Sequence, residues 1–135
     1  MGIVLKIVFI IPNMTGGGTE RVISLLSDEY VRRGHEVAIM QFAGYEHAYE
    51  LNRQVEDFSV APRSKGNPFI MLRKLINMRR YFRKNPDCRI FAFCVMGAVY
   101  AAATTWGMKR YLLVAERNSP DSCNIKKLRN WAYRR

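Results

Sequence analysis

The chain has 135 residues and a mass of 15.7 kDa, the size of one domain, which excludes a large multidomain enzyme. Its 49% apolar and 24% charged residues are a globular balance and exclude an intrinsically disordered chain. Charge is the outlier: 22 Lys and Arg against 11 Asp and Glu give +11 at pH 7, an excess that favours anionic partners such as phosphates, nucleic acid or an acidic membrane surface.

Residues 5–11 are rich in β-branched residues and nearly all apolar, as expected of a strand covered on both faces. The run Gly16-Gly17-Gly18 follows, and 19–33 is predicted helical, with Val22, Ile23, Leu26, Tyr30 and Val31 at helical spacing. Arg32 and Arg33 suit the negative end of that helix, and Gly34 is placed to end it. A second strand is predicted at 36–42, a loop without clear period at 43–54, and a short strand at 55–60. Asn67-Pro68 offers an N-cap followed by proline at the first helical position, opening a helix that runs to about Lys84. Leu72, Leu75, Ile76, Met78 and Phe82 lie on or near one face of it, and Asn85-Pro86-Asp87 stops it. A strand at 89–95, an alanine-rich helix at 97–106 ended by Gly107, and a strand at 111–116 complete the alternation. After the turn Asn118-Ser119-Pro120, residues 125–135 read as a basic helix. Strands and helices alternating at this spacing imply right-handed crossovers and a three-layer, Rossmann-like α/β domain with a mostly parallel sheet.

Several chemistries are disfavoured. Cys88, Cys94 and Cys123 are an odd number without a C-x-x-C pair, against zinc, thiol redox or a secreted disulfide framework. No apolar run reaches the roughly 18 residues of a membrane span. The apolar start is interrupted by Lys6, followed by Pro12 and Asn13, and lacks a small-residue cleavage site. These features predict a cytoplasmic chain with reduced thiols. His35 falls in a helix-to-strand turn and reads as structural; His47, in the polar loop, reads as a lone exposed histidine. The two histidines and scattered cysteines make no metal-ligand constellation, and no cofactor is expected. Met71, Met78 and Phe82 read as core residues.

The loop N-M-T-G-G-G-T-E-R follows the first predicted strand, at the carboxyl edge of the sheet where ligands bind. Its glycines let backbone approach a ligand, and the N–H groups of the next helix suit a phosphate. It lacks the Lys-Ser/Thr of a P-loop, and Arg21 stands where G-x-G-x-x-G requires glycine, so a tight strand-to-helix turn is the competing reading. Glu20 near the positive end of the helix dipole is stabilising without any catalytic role. Arg73, Lys74, Arg79, Arg80, Arg83 and Lys84 cluster on one helix, and Lys126, Lys127, Arg129, Arg134 and Arg135 crowd the last segment; together they are half of the basic residues. A helix with apolar and basic faces can lie on an anionic bilayer, while a solvated basic face is the plain alternative. No nucleic-acid motif is present and the basic patches lack regularly interleaved aromatics, so nucleic acid is not the expected partner.

Four segments in order, K-I-V-F-I-I-P-N at 6–13, G-G-T-E-R-V at 17–22, R-R-G-H-E-V at 32–37 and A-E-R-N-S-P at 115–120, resemble the N-terminal domain of family-four retaining glycosyltransferases of the two-domain GT-B fold. The last is similar to the S-E-R-N-D-P segment of a bacterial branch that adds sugars to lipid-linked glycans or surface polysaccharides. The resemblance covers nearly the whole chain. It implies an acceptor-side domain serving transfer of a hexose or N-acetylhexosamine from a UDP-linked nucleotide sugar, with Gly17 and Gly18 near the diphosphate and Glu20 in the cleft. Many members place a histidine after the last of these strands; here Glu116, Arg117 and Asn118 stand there instead. Arg117 would hold an anionic acceptor or diphosphate and Glu116 would accept a sugar hydroxyl, while a structural ion pair is the alternative. No nucleophile and no metal follow from the resemblance. Family members bind the nucleotide sugar mainly through a C-terminal domain with a basic pair and an E-x-seven-E motif. On that comparison residues 1–135 are an incomplete N-terminal-like domain without its donor-binding partner, inactive alone and peripheral on the inner face of the cell membrane. An incomplete sheet also implies an open edge and self-association into a homo-oligomer. The alternative function is a non-catalytic remnant or binding module on an anionic membrane surface or a protein partner.

Overall fold

The strand KIVFII is buried along its length because it has apolar side chains for both faces: Ile7, Phe9 and Ile11 point one way, Val8 and Ile10 the other. It is the middle strand of a computed structural model that describes residues 2–45, 47–61 and 69–115. In chain order the elements are β1 (Lys6–Ile11), α1 (Gly18–Arg32), β2 (Glu36–Gln41), β3 (Glu56–Ser59), α2 (Ile70–Lys84), β4 (Arg89–Phe93), α3 (Cys94–Thr104) and β5 (Tyr111–Ala115). All strand pairs are parallel, in the order β3-β2-β1-β4-β5. The chain steps outward from β1 to β3, then crosses to β4 on the far side of β1. That reversal makes the carboxyl ends of β1 and β4 the crevice of the sheet.

Two helical layers sandwich the sheet. Ile23, Leu26, Tyr30 and Val31 of α1 pack with Ile7, Phe9, Ile11, Val37 and Ile39 on one face. Met78 and Phe82 of α2 and Tyr100 and Ala101 of α3 pack with Val8, Ile10, Ala38, Met40 and Ile90 on the other. The domain is therefore a Rossmann-like three-layer α/β structure with an all-parallel sheet. Among the described residues no helix lies between β2 and β3, and Leu51 and Val55 of the connection pack beside α1. α3 lies close on β1 through small residues, since a Cβ on Gly97 would stand 3.4 Å from the Ile10 carbonyl oxygen.

Two expectations are corrected. The strand predicted at 89–95 ends at Phe93, and α3 starts at Cys94 rather than at Gly97. Cys94 takes φ 65, which breaks the extended backbone, and its Sγ accepts the Gly97 N–H at 3.4 Å. On α2 Leu75, Met78, Tyr81 and Phe82 turn toward the sheet, whereas Met71, Leu72 and Ile76 are 55%, 53% and 47% exposed. At about 100° per residue, Leu72 and Ile76 lie roughly 90° and 130° round from the centre of the stripe of Leu75, Met78 and Phe82 and face away from the core. Met71 is thus a surface residue, whereas Met78 and Phe82 are fully buried. The helix start expected at Asn67-Pro68, the final helix at 125–135 and Cys123 lie outside the described residues. Among the described residues no helix is long and apolar enough to cross a membrane.

Candidate functional site

The chain leaves β1 through Pro12 and enters an Asx turn, in which Asn13 Oδ1 accepts from the Thr15 hydroxyl at 2.7 Å and the Thr15 N–H at 3.4 Å. Met14 is fully buried and bridges to His47, and the Ala48 N–H donates to the Met14 carbonyl at 2.8 Å. Residues 47–50 thus ride across the glycine run. The three glycines have three different reasons to be there. Gly16 has φ +117, and a Cβ on it would sit 3.0 Å from the Ala48 Cβ, so both conformation and space demand glycine. Gly17 is extended and caps α1: its carbonyl accepts the first helical N–H, from Arg21, at 3.1 Å and the Tyr49 hydroxyl at 3.3 Å. Gly18 is exposed, and a Cβ there would meet nothing within 4 Å.

Glu20, three residues after the Gly17 cap, folds back over it, its Oε2 2.6 Å from where a Gly17 Cβ would stand. The carboxylate thereby lies beside the positive end of the α1 dipole. Gly17, Gly18 and Glu20 are in this way gathered on one helix end, at the carboxyl edge of the central strand. β5 delivers the chain to the same edge at Ala115, and the expected Glu116, Arg117 and Asn118 that follow lie outside the described residues.

The basic residues of α2 divide. Arg73, Arg80, Arg83 and Lys84 are exposed and Lys74 is half-buried. Arg79 departs from the membrane-facing set: its guanidinium donates at 3.0 Å to the carbonyls of both Thr104 and Trp106, satisfying the C-terminal end of α3. Arg110 does the same for α2, donating to the Phe82 and Asn85 carbonyls at 2.6 and 3.0 Å.

His47 is exposed, as its sequence context predicted, but it is not alone. Its Nε2 lies 2.6 Å from Asp57 Oδ2, and the two side chains are 29% and 10% exposed. The other Asp57 oxygen accepts from Gln41 Nε2 at 3.0 Å; Gln41 is fully buried and its Oε1 has no hydrogen-bond partner. The register Ile39↔Asp57 turns Asp57 to the face that the connection 43–55 covers, and this unites two residues of unrelated predicted segments. The available signal was the acid itself, set inside a short predicted strand. His35 is structural, accepting the Leu5 N–H at Nδ1 at 3.4 Å. Away from the edge, burial pushes the Cys88 thiol up, partly opposed by Arg110, and Arg33 and Arg32 hold Glu29 below the usual carboxylate range. Among the described residues no group of three His, Cys, Asp or Glu is placed to hold a metal ion. No protein-family model matches the chain, and no curated protein matches it.

Proposed function

We propose that this chain is the acceptor-side domain of a retaining glycosyltransferase, serving transfer of a sugar from a UDP-linked nucleotide sugar to a lipid-linked glycan or surface polysaccharide. The observation that carries the reading is the glycine loop opening at the carboxyl end of β1, beside the reversal of strand order, with the N-terminus of α1 behind it. The unpaired N–H groups of the first turn and the dipole would hold a diphosphate, and open Gly18 lets a ligand reach the backbone. Glu20, already beside Gly17, would accept a hydroxyl of the sugar or acceptor. Arg117 would hold an anionic group and Glu116 and Asn118 would bond sugar hydroxyls, arriving directly after β5. The test is UDP-sugar uptake by the intact protein with Gly18→Val. Space at Gly18 is open, so the fold should survive; we expect uptake to fall about tenfold or more at unchanged unfolding temperature. Unchanged uptake would refute the role given to the loop.

A second reading, a non-catalytic module on an anionic membrane, is favoured by the outer face of α2. Phe69, Leu72 and Ile76, spaced three and four apart, are exposed there among Arg73, Arg80 and Arg83. Membrane contact on its own would also suit the first reading, because a lipid-linked acceptor would be met at the inner face of the cell membrane. Cosedimentation with phosphatidylserine vesicles at low salt, lost with Leu72→Ser plus Ile76→Ser, is the expected result. No cosedimentation at low salt would remove the membrane reading.

A further inference from the structure

A second recess lies beside the glycine loop, where residues 47–51 face β3. It is an open cavity of about 400 Å³ lined by His47, Ala48, Tyr49, Glu50, Leu51 and Asp57, a volume in the range of small-molecule sites. Its polar side chains offer acceptors. The Nε2 of His47 is engaged by Asp57, which leaves Nδ1 as the ring's remaining polar atom. The Tyr49 hydroxyl is spent on the Gly17 carbonyl. Each Asp57 oxygen takes one hydrogen bond and retains acceptor capacity, and the Glu50 carboxylate accepts only. Leu51 and Ala48 add an apolar wall. Such a lining fits a ligand with many donors and one apolar side. A free cation also supplies donors, but a chain of charge +11 repels it at long range.

We propose that this cavity is a subsite for a neutral polyhydroxylated ligand, one sugar residue, whose hydroxyls donate to Asp57 and Glu50 and bond to His47 Nδ1 while its C–H face lies on Leu51. The position of the subsite follows from the cavity. Its service to an acceptor glycan rests on the glycosyl-transfer reading, and the rider 47–50 gives it a link to the loop, since Ala48 abuts Gly16 and Tyr49 holds Gly17. Asp57, mostly shielded and bonded to Gln41, fixes the ring of His47 and is a positioning residue as well as an acceptor.

The experiment is amide chemical-shift mapping on the intact protein with methyl α-glucoside, N-acetylglucosamine and, as the cationic control, putrescine. We expect the neutral sugars to move the amides of 47–51 and 57 at millimolar concentration, and His47→Ala or Glu50→Gln to weaken the response about fivefold or more. Glu50 is exposed and only its backbone carbonyl is used, by Ser24, so Glu50→Gln keeps the loop in place if His47→Ala loosens it. Sugar that leaves these amides unmoved, shifts unaltered in Glu50→Gln, or a response to putrescine in place of sugar would each overturn the proposal. UDP-sugar, added separately, reports on amides 16–20; their silence with a retained sugar response would sink the transfer reading and leave the subsite standing.

Discussion

At the scale of single residues, the glycine run shows how one letter can answer to separate causes. Gly16 is fixed by a left-handed backbone and by Ala48, whereas Gly18 is free of both and so is available to a ligand. His47 makes the complementary point. Its role was invisible in a polar loop, because pairing with Asp57 depends on the register of β3 and on the path of the connection 43–55 across that face. Tyr81 carries a pH consequence. Burial first, and then Glu56, whose carboxylate accepts its hydroxyl at 3.0 Å, raise its phenol well above the ordinary value of 10.0. Below that value the phenol is protonated folded and unfolded, and stability is unaffected by it. As pH rises past it, only the unfolded chain releases the proton, so stability is lost. Urea unfolding of wild type and Tyr81→Phe between pH 8 and about 11 should show the wild type falling more steeply above about pH 10. Parallel curves would contradict this account of Tyr81.

At the scale of elements, strands covered on both faces were readable as apolar runs, and α1 as a helix from its spacing and terminal residues. α2 was readable as a helix but not in its facing. Six apolar positions at helical spacing fit more than one stripe, and only packing on β1, β2 and β4 selects Leu75, Met78 and Phe82. The start of α3 was misplaced because Cys94, not a glycine, takes the left-handed turn. The arginine caps were equally hidden: Arg79 and Arg110 reach carbonyls 25 residues or more away in sequence, joining α2 to the end of α3 and the start of β5. Arg110 matters more to the fold than its surface-like type suggests. Arg110→Ala should lower unfolding free energy by about 1–3 kcal/mol, because two helix-end carbonyls lose a charged donor. Arg110→Lys should restore only part of it, since one ammonium lacks the fork that spans both oxygens. A variant as stable as wild type in urea unfolding would refute the capping role.

At the scale of the whole molecule, parallel topology and the order β3-β2-β1-β4-β5 decide where chemistry can occur. The same edge gathers the glycine loop, Glu20 and the end of β5, and residues 47–50 cross the loop there. The loop was legible in the sequence as punctuation between a strand and a helix; its partnership with residues 47–50 was not, because that depends on a return of the chain after β2. The opposite layer presents the arginine-rich outer face of α2, with Arg73, Arg80 and Arg83 exposed. The central claim is that the N-terminus of α1 holds the diphosphate of a nucleotide sugar. Hydrogen exchange of the amides of Gly18, Thr19 and Glu20 in the intact protein, with and without UDP-sugar, tests it most directly. These first-turn N–H groups lack helical partners, so a bound diphosphate should slow their exchange about tenfold or more. Identical rates at saturating UDP-sugar would contradict the claim.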